Sequence, residues 1–415
     1  AAAAAAATVV AAANNTAALQ LLDQARYPHA RCLDGSPFGL YYRRARTAAD
    51  AKRWLVVLNG GGLCTTRENC QQRATTPLGS SRDWPREFDL DRFSFTSSAE
   101  YNHFRDWHMV FVMYCTGDLH AGGRTSASDE TYGLYFAGAH NVDAAIDFLA
   151  PRLDAAGTTL VFAGGSAGGF GNLYNIDRVA ARLAPNVDVV GAPIGGFPPP
   201  IHWYDGPEHT TPGDDARTQA FRGLANVWAA RWPEACTAAH GDADAYRCAI
   251  PEFVAPYVRA DMMVVQPLTD WVITVGYEGV PGDVGKINMI PEAVAFMDAY
   301  ARNSTRALRV LDNSRNSGYF APSCINHVNF NEVPAIRGQN AIDVVYHMAT
   351  TNRQAGAPPL PPAARFYIDT CPDEYWPPCH ERVTGGACGK ATAADAVSAH
   401  ARVLLPQMVP PTFKW

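Results

Sequence analysis

The chain has 415 residues, of which 47% are hydrophobic and 18% are charged, and its formal net charge is -6. This content supports a large buried core, and a domain of this length that alternates strands and helices can fold as one unit. The acidic balance and the lack of a long basic run argue against a nucleic-acid partner. No apolar stretch is long enough to span a bilayer, so no transmembrane segment is predicted.

Apolar runs alternate with helix-like segments along most of the chain. Six of these runs are short enough for strands, at 54–58, 107–114, 158–163, 187–192, 262–267 and 307–311. Runs of this kind with helices between them indicate a mostly parallel sheet that is buried on both faces. The sequence therefore predicts an α/β fold, with a flexible segment over 1–25 and a single domain over 26–415. The small, apolar residues 1–13 are typical of a signal-peptide remnant or of a frayed alanine-rich end.

A glycine-rich turn after the third predicted strand carries the most informative motif. Residues 164–168 read Gly-Gly-Ser-Ala-Gly, the pattern G-x-S-x-G, and a helix-like run over 170–183 follows. In this context the glycines permit a sharp turn that lifts the serine hydroxyl clear of the sheet. The motif predicts the nucleophile elbow of an α/β-hydrolase with Ser166 as nucleophile. The alternative is an ordinary glycine-rich turn between a strand and a helix.

A serine hydroxyl needs a base, and in α/β-hydrolases the partners follow in the order serine, acid, histidine. This order leaves His327, His347, His380 and His400. His347 lies in an apolar helix-like run, His380 in a Cys/Pro-rich loop and His400 near the end. His327 is favoured because it lies in a loop after the last predicted strand, from which an imidazole can reach the carboxyl edge of the sheet.

The acid is expected after a strand between the elbow and this histidine. Asp270 closely follows the run 262–267, whereas Asp261 precedes it and would lie at the opposite edge of the sheet. Asp270 is therefore predicted to orient the imidazole of His327 and to stabilise its protonated form. The alternative is an aspartate in a surface turn.

Backbone amides are predicted to bind the oxyanion of the reaction. The glycines at 60–62 follow the first strand and let backbone amides face a substrate, which favours Gly61 and Gly62 as donors. Ala167 supplies the amide that follows the nucleophile. The alternative for 60–62 is a tight turn.

Between the fourth and fifth strands, the aromatic-rich segment 197–260 is predicted to be a helical lid insertion, although its aromatic residues are more often core than pocket.

Ten cysteines, without a C-x-x-C pair or zinc-like histidine spacing, favour disulfides over a metal site. Disulfides favour a secreted protein or one of the secretory pathway. Sequons at Asn14 and Asn303 agree with that location and are candidate glycosylation sites.

The motifs resemble the pectin acetylesterase/Notum family of serine carboxylesterases over about 32–388. The segments that carry the resemblance are 59–64 (NGGGLC), 67–70 (RENC), 80–85 (SSRDWP), 109–115 (MVFVMYC), 165–169 (GSAGG), 175–180 (NIDRVA), 264–270 and 320–327 (FAPSCINH). The resemblance implies the same triad of Ser166, Asp270 and His327. It also implies five disulfides: Cys32–Cys115, Cys64–Cys70, Cys236–Cys248, Cys371–Cys379 and Cys324–Cys388, with a Cys-rich segment over 371–388.

Three departures from the family concern the substrate side of the site. Notum has a tryptophan where Gly62 stands, and the pectin acetylesterases have theirs at the position of Leu63. Plant members carry a cysteine just after the catalytic histidine, where this chain has Val328. The lid of Notum contains an extra disulfide, for which this chain has no cysteines.

The sequence thus predicts a serine esterase that needs no metal and no organic cofactor. Its ester substrate is a long-chain acyl group on a protein or lipid, with O-acetyl groups on a polysaccharide as the alternative. A non-catalytic binding or structural protein on a hydrolase scaffold is the rival of another class, and an intact triad argues against it.

Overall fold

The structure is a computed structural model that describes residues 15–200, 204, 216–283, 286–287, 290–315, 317–323, 325–330, 335–351 and 358–369. Its strands are β1 (Thr16–Leu21), β2 (Gly39–Arg43), β3 (Arg53–Leu58), β4 (Glu87–Asp89), β5 (His108–Val112), β6 (Thr158–Gly165), β7 (Val187–Ile194), β8 (Asp261–Val265), β9 (Thr269–Asp270), β10 (Gly282–Asp283), β11 (Lys286–Ile287), β12 (Gly318–Ala321), β13 (Ile325–Asn326) and β14 (Phe366–Ile368).

Helices separate most of these strands. They are α1 (Arg67–Arg73), α2 (Gly138–Leu153), α3 (Ala167–Arg182), α4 (Ala216–Trp228), α5 (Glu234–His240), α6 (Pro251–Val254), α7 (Trp271–Gly276), α8 (Pro291–Leu308) and α9 (Ala341–Thr350). Within the described ranges, no helix has the length and apolar character that crossing a membrane requires.

Within the described residues, ten strands form one sheet in the order β14-β12-β8-β7-β6-β3-β5-β2-β1-β4. Pairing is parallel from β14 to β5 and antiparallel from β5 through β2 and β1 to β4. The central strands are buried on both faces, because neighbouring residues such as Val161 and Phe162 are both fully buried although their side chains point to opposite sides. Helix α3 packs on β6 and β7, while α9 contacts β6, β7 and β8. The predicted mostly parallel sheet flanked by helices is confirmed.

Two sequence-based predictions about elements were wrong. The run 307–311 is not a strand: it contains the end of α8 and part of a 3₁₀ turn, and its apolar residues continue the buried face of that helix. The actual strand is β12. The supposedly flexible segment 1–25 includes β1, which is held by antiparallel pairing with both β2 and β4.

The region between β7 and β8 is largely helical over 216–257. It holds α4, α5 and α6, and a disulfide joins Cys236 to Cys248. Two further disulfides, Cys32–Cys115 and Cys64–Cys70, are present as predicted. The other implied pairs, Cys371–Cys379 and Cys324–Cys388, fall outside the described residues.

Of the two candidate glycosylation sites, only Asn303 lies within the described residues. Asn14 lies outside the described residues. Asn303 lies within α8 and is only 6% exposed. A bulky, solvated glycan does not fit a buried helical position, so the structure argues against Asn303 as a glycosylation site.

Candidate active site

Ser166 stands at the turn between β6 and α3, with a left-handed φ of 56° and a ψ of -122°. A non-glycine residue in such a conformation costs about 1–3 kcal/mol and persists only where its surroundings fix it. Here the amide of Ser166 donates to the carbonyl of Ile194 (2.8 Å), and the carbonyl of Ser166 accepts from the amide of Gly169 (2.8 Å). A Cβ on Gly168 would lie 2.1 Å from the carbonyl oxygen of Leu58, so that glycine is required for the helix to approach the sheet.

Asp270 and His327 are brought together by a small parallel ladder beyond the main sheet. Strand β9 pairs with β13 so that Asp270 is opposite Asn326, the residue before His327. The Oδ2 atom of Asp270 then lies 2.8 Å from Nδ1 of His327. The other oxygen, Oδ1, accepts the amides of Val272 (3.0 Å) and Ile273 (3.2 Å) and thereby caps α7.

The carboxylate of Asp270 is fully buried, and His327 is 8% exposed. A carboxylate oxygen can only accept from the imidazole, so the contact places a proton on Nδ1 and leaves Nε2 as the acceptor that a general base needs. This is the tautomer that proton abstraction from a serine requires.

The His327 loop packs directly on the serine turn. A Cβ on Gly195 would lie 2.6 Å from the carbonyl oxygen of His327, and a Cβ on Gly165 would lie 3.7 Å from Cγ1 of Val328. Within the described part of the chain, however, no hydrogen bond joins Oγ of Ser166 to His327, although the sequence predicts that the two groups come within reach. Such bonds are often long in a ligand-free enzyme and tighten when substrate binds.

The glycine segment 59–62 lies against the serine. A Cβ on Gly60 would be 2.9 Å from Cβ of Ser166 and 2.7 Å from the carbonyl oxygen of Gly165. Gly61 and Gly62 both have positive φ, at 137° and 66°. Among the described residues, the amides of Gly61, Gly62 and Ala167 donate to no carbonyl. All three amides are thus candidate donors to an oxyanion.

Three residues around this segment were not predicted from the sequence. A Cβ on Gly62 would lie 2.6 Å from the hydroxyl of Tyr277, which therefore borders the position where Notum has its tryptophan. Nη2 of Arg73 would be 3.4 Å from a Cβ on Gly61 and is buried without a hydrogen-bond partner among the described residues. His120 contacts the carbonyl of Asn59. None of the three stands in a recognisable motif, so no sequence signal marks them.

Among the described residues, one group of potential metal ligands stands in the region between β7 and β8. Atoms of Cys236, His240 and Cys248 lie within 4.8 Å of one another. The two sulfur atoms are joined in a disulfide, so neither can act as the thiolate ligand that a metal takes.

Gly60 provides a direct test of how closely this segment fits. We expect Gly60→Ala to lower kcat about 10–100-fold, because the new methyl group must push the glycine segment away from Ser166. Overpacking should also reduce the free energy of unfolding by about 1–3 kcal/mol. Gly223→Ala is the matched control, since nothing lies within 4 Å of its Cβ position. Equal kcat in the two variants would contradict the close packing.

A parallel sheet with a strained serine between a strand and a helix, and a buried aspartate–histidine pair at the same sheet edge, define an α/β-hydrolase. Comparison with known proteins identifies the family. The Pectinacetylesterase family model matches residues 10–347. The chain belongs to this family, and it is a carboxylic ester hydrolase.

The similar proteins include several palmitoleoyl-protein carboxylesterases. The human protein NOTUM is 30% identical over 373 residues, which cover 84% of this chain and 70% of that protein. NOTUM of Drosophila melanogaster is 30% identical over 309 residues, covering 71% of this chain and 42% of the relative. The protein notum1' of Xenopus laevis is 32% identical over 246 residues, or 58% and 49% of the two chains.

Proposed function

We propose that this protein is a serine carboxylesterase in which Ser166, His327 and Asp270 hydrolyse an O-acyl ester through an acyl-enzyme. The observation that carries the proposal is the 2.8 Å contact between buried Asp270 and His327, on a loop that packs against the strained turn of Ser166. A binding protein on the same scaffold would have no use for a buried carboxylate that fixes one imidazole tautomer.

The reaction follows from the free nitrogen of His327. Nε2 takes the proton of Ser166 as Oγ attacks the ester carbonyl, and Asp270 stabilises the imidazolium that forms. The same nitrogen then gives the proton to the departing alkoxide, which leaves an acyl group on Ser166. Water attacks this acyl group with His327 again acting as base, and the acid is released. The scheme uses no metal and no organic cofactor.

Amides of Gly61, Gly62 and Ala167 stabilise the negative charge of both tetrahedral intermediates in this scheme. Their N–H groups are fixed by the backbone before substrate arrives, so little reorganisation is needed when charge develops. The proposal is supported by their lack of backbone acceptors among the described residues.

The proposed acyl group is long, and the segments that carry Asp270 and His327 pack on an apolar cluster. Buried Ile273, Phe296 and Met297 form its centre, and half-buried Trp271 and Ile325 connect it to the two catalytic loops. The names of the similar proteins, which act on palmitoleoyl-protein esters, agree with an acylated protein or lipid as substrate. The family name keeps O-acetylated polysaccharide as the second candidate.

Chain-length preference tests the substrate proposal. We expect kcat/KM for p-nitrophenyl octanoate to exceed that for p-nitrophenyl acetate at least about 10-fold, because added methylene groups gain free energy in an apolar site. Both esters release the same alcohol, so their ratio reports the acyl site alone. A preference for acetate would instead favour the polysaccharide substrate and contradict the long-acyl proposal.

The secretory pathway is the proposed location. Three disulfides in the described residues support it, because such bonds persist in oxidising compartments.

A further inference from the structure

The loop that follows β5 is held in a strained form beside the glycine segment 59–62. Leu119 and His120 have left-handed φ angles of 54° and 58°, and they are only 2% and 1% exposed. Two consecutive non-glycine residues in this conformation are costly, and strain of this kind persists where surrounding contacts fix it. The contacts that fix this loop are specific.

Asp118 is the centre of those contacts. Its Oδ1 accepts from the hydroxyl of Thr116 (2.6 Å) and from the amide of His120 (3.1 Å), while its Oδ2 accepts from the amide of Gly138 (2.8 Å). The hydroxyl oxygen of Tyr114 accepts from the amide of Leu119 at 2.7 Å. Each strained residue thus has its amide bonded to a buried side chain.

The strained loop presents one side chain to the glycine segment. Nε2 of His120 lies 2.9 Å from the carbonyl oxygen of Asn59, the residue that precedes Gly60. Because a carbonyl oxygen only accepts, this contact places the proton on Nε2. Burial lowers the pKa of His120 to about 4, which keeps the imidazole neutral near pH 7.

Aromatic packing fixes the ring plane from one side. The imidazole of His120 stacks on Tyr114 with ring centroids 4.5 Å apart, and the guanidinium of Arg73 lies 5.1 Å from the centroid of the same tyrosine. A Cβ on Gly171 would lie 2.8 Å from Cβ of His120, so helix α3 packs closely behind it. The imidazole therefore has little freedom to leave the carbonyl of Asn59.

We propose that His120 is a positioning residue for the oxyanion hole. Its N–H holds the carbonyl of Asn59, which fixes the peptide plane that leads into Gly60 and hence the directions of the Gly61 and Gly62 amides. The inference rests on the proposed function, because it concerns the same reaction. On this proposal, the strained 114–120 loop serves to orient the amides that contact the substrate.

Two substitutions separate the hydrogen bond from the packing. His120→Phe keeps a ring that stacks on Tyr114 but removes the donor, whereas His120→Gln restores an N–H donor on a flexible side chain. We expect His120→Phe to lower kcat about 10–100-fold with KM changed less than about 2-fold. Affinity for a trifluoromethyl ketone analogue of the ester, which forms an oxyanion on the serine, should fall by a similar factor. His120→Gln should recover most of both losses.

His108→Phe is the matched control, because His108 is the first residue of β5, before the loop that carries His120, and it bonds Tyr42 and the amide of Ala45. It should leave kcat unchanged. Each rate is divided by the concentration of folded, active protein, which is measured by stoichiometric fluorophosphonate labelling. A His120→Phe variant with native kcat and native ketone affinity would overturn the inference, and so would a His120→Gln variant no better than His120→Phe.

Folding and function are distinguished in the same experiment. If His120→Phe does not fold, His120→Gln and His120→Asn are compared instead. A lower affinity for the ketone in the variant with the shorter asparagine supports the positioning role of His120. Native affinity in both variants contradicts that role. If the wild-type protein neither hydrolyses esters nor is labelled, the proposed function fails. If the wild type is active and His120→Phe equals it, only the role of His120 fails.

Discussion

Replacement of Ser166 by alanine is expected to lower kcat for p-nitrophenyl octanoate about 10⁴–10⁶-fold without unfolding the protein. In the proposed mechanism the hydroxyl forms the acyl-enzyme, and the oxyanion amides alone would retain only a small part of the rate enhancement. Steady-state hydrolysis and the thermal midpoint measure the two effects. Ser126→Ala, at an exposed bend, is the matched control and should retain full activity. A Ser166→Ala variant within 100-fold of wild type would contradict the role of the nucleophile.

A glycine at the same position tests the strain of the turn. Ser166→Gly should be as inactive as Ser166→Ala but more stable than it, because glycine adopts the observed φ of 56° without a clash of Cβ. The relief of about 1–3 kcal/mol is partly offset by the greater freedom of glycine in the unfolded chain, which leaves a net gain of about 1 kcal/mol. Urea unfolding of the two variants measures the difference. An equal or lower stability for Ser166→Gly would show that the strain of the turn does not exceed the entropy cost of glycine.

Replacement of Asp270 by asparagine is expected to lower kcat about 10³–10⁴-fold with little change in stability. The amide oxygen can still cap α7 by accepting from Val272 and Ile273. The amide nitrogen, however, then faces Nδ1 of His327 and donates to it. This moves the imidazole proton to Nε2, where it blocks proton abstraction from Ser166.

The control for Asp270→Asn uses a second aspartate–histidine pair. Asp343 accepts from Nε2 of His103 at 3.0 Å on the surface of the protein. Asp343→Asn removes the same charge from a similar pair that does not include a triad residue, and it should leave kcat unchanged. If Asp270→Asn keeps more than about one tenth of the activity, Asp270 does not control the tautomer.

The candidate catalytic residues could be proposed from the sequence because local pattern and chain order both constrain them. Ser166 stands in a motif whose glycines are required by packing, as the 2.1 Å approach at Gly168 shows. Asp270 and His327 follow strands whose carboxyl ends meet at one edge of a parallel sheet. The small β9–β13 ladder that sets their register could not be predicted from the sequence, because a strand of two residues is too short to show an alternating pattern.

The supporting residues could not be predicted because their roles depend on tertiary contacts. Arg73, His120 and Tyr277 come from three separate parts of the chain, and only the folded backbone places them around 59–62. The antiparallel strands β1, β2 and β4 were also missed. Strand β1 is short and its sequence, TAALQL, suits a helix equally well, so its pairing with β2 and β4 decides its conformation.

Mass-spectrometric mapping of a fluorophosphonate adduct tests the central claim most directly. The wild-type protein should carry one adduct, on the peptide that contains Ser166, because only an activated serine reacts rapidly with this reagent. Folded His327→Gln should be labelled at least about 100-fold more slowly, since the base that activates the hydroxyl is gone. An adduct on another residue, or a folded wild-type protein that stays unlabelled, would contradict the account of Ser166 and His327 as nucleophile and base.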